Sequence, residues 1–136
     1  MKTKTSELTD AALDWVVATC EGHSPEYHRN YTVAEELAGI RRYTISVETL
    51  YDNEGRDFQP KYSPSTNWSQ GGPIIEREML APEPLLDTNC ALIKWRCRNW
   101  KGDGSDFYGP TPLIAAMRCF VASKLGDEVD VPEELR

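Results

Sequence analysis

Residues 109–126 read GPTPLIAAMRCFVASKLG, a helix with both ends marked. Thr111 is placed as the N-cap, Pro112 takes the first helical position, where a missing N–H costs nothing, and Gly126 supplies the stop. Advancing ~100° per residue, Leu113, Ile114, Met117, Phe120, Val121 and Leu125 gather on one broad face. Ala115, Ala116, Cys119, Ala122 and Ser123 gather on the opposite one. A solvated helix carries charges on its second face; this one carries small residues. The pattern predicts a helix covered on both sides, with large residues against a sheet and small ones against a second helix or a second subunit. The latter implies a homo-oligomer. Arg118 lies between the two faces with no other charge close by. A buried guanidinium needs a carboxylate or ligand oxygens, so Arg118 is either an internal ion pair with Glu76 or Glu78, or a ligand contact.

Working outward, an N-terminal helix follows Thr9, with Leu8 and Leu13 placed as a hydrophobic staple. Its apolar face is Leu13, Val16, Val17 and Cys20; Asp10, Asp14 and Glu21 share the opposite face, Trp15 lies at the edge, and Gly22 ends it. His23–Tyr31 reads as irregular, and Thr32 with Glu35 forms a capping box for a short helix, Val33–Ala38. Arg42–Tyr51 alternates as a half-buried strand, Asp52–Gly55 is turn chemistry, and Phe58–Tyr62 returns as an edge strand beside Pro60 and Pro64. Ser63–Gly72 reads as a loop before a helix that begins at Pro73, with a strand over 73–80 as the alternative. APEPLLDTN is a Pro-rich connection, and CALIKWRCRNW carries the strongest strand signal in the chain. The acidic tail, 127–136, either packs through Val129, Val131 and Leu135 or trails away. The resulting fold class is α+β: a compact single domain over 1–136, with an antiparallel sheet of three to four strands packed on the C-terminal central helix and the N-terminal helix.

With 136 residues the chain is long enough for one sizeable core. A net charge of −7 argues against general nucleic-acid binding and against anionic membranes, which both rely on basic surface. No long apolar run exists, and MKTKTSELTD lacks the apolar core of a signal peptide, so a cytoplasmic location in the host cell is expected. Cys20, Cys90, Cys97 and Cys119 lie in apolar-periodic segments without a CxxC pair and read as buried free thiols. Cys20, His23 and His28 match no common zinc spacing, so neither metal nor cofactor is expected.

Three stretches, LTDAALDWVVATCEG, YSPSTNWSQGGPIIERE and GPTPLIAAMRCFVASKLGDEVDVPEEL, resemble the NinX-type proteins of lambdoid phages and prophages, a family described as being of unknown function. The resemblance implies a small phage accessory protein made inside an infected bacterium. It brings no catalytic residues.

Two places carry candidate chemistry. In Ser63–Gly72, Ser65, Thr66, Asn67, Ser69 and Gln70 offer hydrogen bonds, Trp68 offers a stacking face, and Gly71 and Gly72 precede a helix start that attracts anions. The same residues also suit a structural loop whose hydroxyls cap turns. The second place is the strand row Lys94, Arg96 and Arg98 with Trp100, either an anion wall or a solvated sheet face. No catalytic set stands out, which favours a non-enzymatic protein. The sequence is read as a binding protein that sequesters a small nucleotide-like host defence signal through the Ser65–Gly72 loop and Arg118. The alternatives are an inhibitor or adaptor of a host protein and a nucleotide hydrolase.

Overall fold

The computed structural model describes residues 2–136. Strands β1 (Lys2–Lys4), β2 (Glu26–Arg29), β3 (Tyr43–Ser46), β4 (Leu50–Tyr51), β5 (Asp57–Phe58), β6 (Glu83–Leu86), β7 (Leu92–Arg98), β8 (Asp106–Gly109) and β9 (Glu128–Asp130) alternate with four helices. The helices are α1 (Asp10–Cys20), α2 (Val33–Leu37), α3 (Trp68–Glu78) and α4 (Pro112–Leu125). The α+β class is as expected. A three-stranded antiparallel sheet, β6-β7-β8, packs on α4; the other strands form antiparallel pairs, β1 with β9, β2 with β3 and β4 with β5.

The sequence marked the ends of α4 well: Thr111 Oγ1 accepts the N–H of Ile114 at 3.2 Å, Pro112 opens the helix and Gly126 closes it. Both faces are covered, as predicted, but with the roles exchanged. A Cβ on Gly109 of β8 would stand 2.8 Å from Ala115 N, and the Cys119 thiol meets Cys97 of β7. The small residues therefore let the sheet come close. On the large side, Leu113 packs at Gly71 of α3, and the Phe120 ring lies 5.9 Å from the Arg77 guanidinium carbon. Leu13, Val16 and Val17 of α1 complete the core with Met117 and Val121.

The acidic tail packs on the body. β9 pairs with β1 in the register Lys2↔Asp130 and Lys4↔Glu128, and Thr5 N–H donates to Asp127 O at 2.8 Å. Val129, Val131 and Leu135 are buried. At the far end of α4, Arg77 bonds Glu21 and Glu78, and Glu78 also meets Lys124 at 3.3 Å, tying α1, α3 and α4 together.

Several expectations are corrected. His23–Tyr31 is not irregular throughout: β2 pairs with β3, and the predicted Arg42–Tyr51 strand divides into β3 and β4. The connection APEPLLDTN contains β6, where Pro84 is tolerated because β6 is the sheet edge. Cys90 is exposed, in the turn between β6 and β7, whereas Cys97 and Cys119 are buried.

Helix α3 starts at Trp68 rather than Pro73, so Gly71, Gly72 and Pro73 lie inside it. Paired glycines disfavour a helix locally. Packing reverses that preference, because only a bare backbone at Gly71 fits against the Pro64 carbonyl and Leu113. Gly71→Ala should therefore cost roughly 1–3 kcal/mol in urea unfolding, the usual range for overpacking. Gly72→Ala, whose Cβ would meet only Trp68 at 3.9 Å, should be neutral or stabilising by about 0.5–1 kcal/mol.

Candidate functional site

Helix α1 begins with an unusual turn. Thr9 occupies the N-cap but makes no side-chain cap bond, and Asp10 adopts φ 49°, a left-handed conformation that Asp tolerates better than most residues. The N–H groups of a helix's first turn have no intrahelical acceptors. Beside this end lies a cleft of ≈ 810 Å³. Thr9, Asp10, Ala11 and Asp14 form one wall, Tyr43, Thr44 and Ile45 of β3 another, and Glu133–Arg136 of the tail a third. Asn30, Arg41, Arg42, Lys61 and Thr66 complete it.

An edge-to-face aromatic chain supports the β3 wall. Trp15–Tyr27, Tyr27–Tyr43 and Tyr43–Tyr31 ring centroids are 5.6, 5.8 and 5.7 Å apart. Trp15 is thus the core-edge anchor that its place on α1 implied. Among the cations, Arg42 is paired with Glu35, Arg41 approaches Glu36 only to 3.9 Å, and Arg136 Nε donates to Val131 O at 3.3 Å. Lys61 makes no ion pair among the described residues. Gln70 fixes the segment that carries it, accepting the Ser63 N–H at 2.6 Å and donating to Lys61 O at 3.1 Å.

Asp14 is the most perturbed acid of the cleft. It is 5% exposed, and its Oδ1 accepts the Ser65 N–H at 2.9 Å. Burial pushes its carboxyl up to about 6 from an ordinary 3.8; the Ser65 N–H and hydroxyl and the Lys61 charge oppose the rise, while Asp10 adds to it. The Ser65 Oγ is itself buried and completes no hydrogen bond of proper geometry. Asp14 was expected on the outer face of α1. The structure turns it inward, because the Ser65 backbone needs an acceptor there.

Of the residues singled out from sequence, Thr66 lines the cleft and Ser65 bonds its Asp14 wall. Asn67 caps α3, its Oδ1 accepting the Ser69 N–H at 2.9 Å and the Ser69 hydroxyl at 2.6 Å. Trp68 is exposed on the first turn of α3, over Gly72, and neither lines the cleft; Gly71 is buried against Pro64 and Leu113.

Arg118 makes no ion pair with Glu76 or Glu78. Its Nε donates to Leu8 O at 2.8 Å and its Nη1 to Tyr108 O at 2.5 Å, so it clasps the approach to α1 onto β8. The strand cations are compensated in register: Arg96 meets Glu83, Arg98 meets Asp106 at 2.9 Å, and Lys94 Nζ sits 4.0 Å from the Tyr108 ring centroid. Trp100 Nε1 donates to Met79 O at 3.3 Å.

Sequence reasoning missed Asp10, Asp14, Arg41, Lys61 and Arg136. Asp14 had a signal, a lone acid in the apolar run Ala11–Val17. The others had none, since the cleft is assembled from distant segments.

These features define a compact α+β protein with a mixed-charge cleft at a helix start. The family described as bacteriophage P22 NinX matches residues 4–124, and the chain belongs to that family. A search among curated proteins finds no match. Among the described residues, no helix is long and apolar enough to cross a membrane.

Two stability measurements check the geometry. Because the folded carboxyl of Asp14 is raised, its favourable contribution is present at low pH and is lost as pH climbs from 3.8 through about 6. Asp14→Asn should thus be more stable than the parent at pH 8 by roughly 1–3 kcal/mol, with the difference vanishing below about pH 4. Thermal melts across that range read it; a lower melting temperature at pH 8 points to a carboxylate that is favourably paired instead. Arg118→Met strands two carbonyls and should cost about 1–3 kcal/mol in urea unfolding.

Proposed function

We propose that this NinX-family chain is a non-enzymatic phage accessory protein that sequesters a small nucleotide-like host defence signal, and that the ligand occupies the cleft at the start of α1. The observation that carries the reading is Lys61, free of ion pairs among the described residues, in a cleft of ≈ 810 Å³ shared with the loosely held Arg41 and with Arg136. Ligand pockets commonly enclose about 300–1,000 Å³, so a nucleotide has room. The uncapped start of α1 adds N–H donors and the positive end of a helix dipole. Asp10, Asp14, Glu133 and Glu134 share the cleft, which favours a ligand with both anionic groups and hydrogen-bond donors over a simple anion. Nucleotides are such ligands.

The Ser65–Gly72 segment enters this reading in a changed role. Thr66 lines the cleft and Ser65 holds its Asp14 wall from behind, while Gln70 positions Lys61. One chain supplies the whole cleft, so the reading does not depend on the expected homo-oligomer. A second reading, an adaptor for a host protein, draws on α2, which has no buried residue and leaves Val33 and Leu37 74% and 85% exposed.

Protein purified from phage-infected cells, heat-released and analysed by mass spectrometry, should yield an intact bound nucleotide. A panel of mono-, di- and cyclic dinucleotides should contain a member that raises stability by about 2.7 kcal/mol at a hundredfold excess over Kd. Lys61→Ala should remove most of that gain. A panel without any stabilising member defeats the reading, a cleaved ligand favours the hydrolase, and a co-purifying host protein lost on Leu37→Asp favours the adaptor.

A further inference from the structure

We infer that Glu133 and Glu134, on the C-terminal turn, set the selectivity of the cleft: they turn away ligands that are anionic throughout, such as inorganic pyrophosphate, and admit a nucleotide, whose phosphates come with hydrogen-bond donors on base and sugar. The inference rests on the nucleotide reading above and names what that site rejects. Three observations carry it.

First, the two carboxylates decide the sign of the cleft. Beside Arg41, Arg42, Lys61 and Arg136, the cleft is lined by four acids, Asp10 and Asp14 from α1 and Glu133 and Glu134 from the tail. Arg42 is taken up by Glu35, which stands outside the cleft, and Arg41 has Glu36 at 3.9 Å. At pH 8, above the Asp14 value of about 6, all four acids are ionised and at least balance the cations. Without the tail pair the cations prevail. Second, neither Glu133 nor Glu134 forms an ion pair among the described residues, and both are exposed. Their charge is spent on no internal cation and acts on whatever enters. Third, the turn is held in place. Val131 and Leu135, on either side of the pair, are 4% and 9% exposed, and the Tyr27 hydroxyl donates to Glu134 Oε2 at 3.1 Å. Tyr27 belongs to the aromatic chain behind the β3 wall, so the body of the protein positions this carboxylate.

Like charges brought together in a binding site cost several kcal/mol, and a repulsive element of this kind is a general route to specificity. Pyrophosphate offers the tail pair only acceptors and negative charge. A nucleoside diphosphate carries the same two phosphates together with ribose hydroxyls and a purine amino group, donors that a carboxylate accepts. A neutral wall would admit both; this one separates them.

The test is calorimetric titration at pH 8 of the full chain and of its Glu133→Gln/Glu134→Gln variant with inorganic pyrophosphate, ADP and GDP. The substitutions keep the shape of exposed side chains and leave Tyr27 a carbonyl acceptor, so the variant should melt as the parent does. The parent should prefer a nucleoside diphosphate to pyrophosphate, and the variant should bind pyrophosphate at least about tenfold tighter than the parent, with a smaller gain for the nucleotides. The control is Glu128→Gln/Asp130→Asn, which removes two charges from exposed positions of β9 outside the cleft. An unchanged pyrophosphate affinity in the cleft variant overturns the selectivity assignment and leaves the nucleotide reading in place. So does a parent that binds pyrophosphate as tightly as ADP or GDP, and so does an equal gain in the β9 control, which would trace the effect to net charge. Pyrophosphate binding gained by the cleft variant alone, with no nucleotide bound by any of the three proteins, keeps the repulsive role of the two carboxylates and defeats the nucleotide reading. No binding of any probe defeats both.

Discussion

At Gly109 the backbone of β8 approaches α4 so closely that a Cβ would stand 2.8 Å from Ala115 N, and at the next turn of the helix Cys119 meets Cys97 of β7. This contact sets the rotation of α4 about its own axis. With the small residues on the sheet, Leu113 and Phe120 turn towards α3, and Arg118 comes between the end of β8 and the segment entering α1. Its guanidinium then bonds Leu8 O and Tyr108 O, one carbonyl on each side. The start of α1 is thereby held to the sheet by a residue of α4, and the cleft forms where that start faces β3 and the tail.

The cleft carries a cost that the core around it does not. Burial of Asp14 disfavours its ionised form, and the Ser65 N–H and hydroxyl and the Lys61 charge only partly offset this. A residue chosen for stability alone would be neutral here. Functional sites are where proteins tolerate such departures from their stability optimum. The left-handed Asp10 and the unsatisfied Ser65 hydroxyl belong to the same few residues, so three separate departures converge beside one surface feature. Away from the cleft Asn99 Oδ1 is likewise buried without a partner, while Asn67 caps a helix, Gln70 staples a loop, and Arg96 and Arg98 meet carboxylates across the sheet.

What could be read from sequence follows the range of the interaction involved. Thr111, Pro112 and Gly126 mark α4, and Thr32 with Glu35 marks α2, because capping is decided within a few residues. The alternation at Ile93, Trp95 and Cys97 likewise placed β7. Helix rotation was not legible: the two faces of α4 were correctly divided, but which one met the sheet depends on Gly109 and Cys97 from other elements. The start of α3 failed for a similar reason, since Gly71 and Pro73 read locally as breakers while the tertiary contact at Gly71 requires glycine. Of the loop Ser63–Gly72 singled out from sequence, only Thr66 lines the cleft, and apart from Asp14 the residues across from it carry no sequence signal. Arg118 was expected to meet a carboxylate or ligand oxygens, whereas two backbone carbonyls take its hydrogen bonds, a partner type that no residue pattern announces.

Charge placement bears on the proposed binding of an anionic ligand by an acidic chain. With a net charge of −7, long-range attraction favours cations, so any anion must be captured by local groups. The densest cation row, Lys94–Arg98, is compensated by Glu83, Asp106 and the Tyr108 ring, whereas Lys61 stands outside every ion pair of the described residues. Density of cations along the sequence and uncompensated charge within a concave surface thus fall at different places in the fold. The NinX match spans Asp14, Arg41 and Lys61 but stops at residue 124, short of the tail wall formed by Glu133–Arg136. Asp14, Arg41 and Lys61 thus lie within the part of the chain that the family model matches, and the tail adds a wall from outside it.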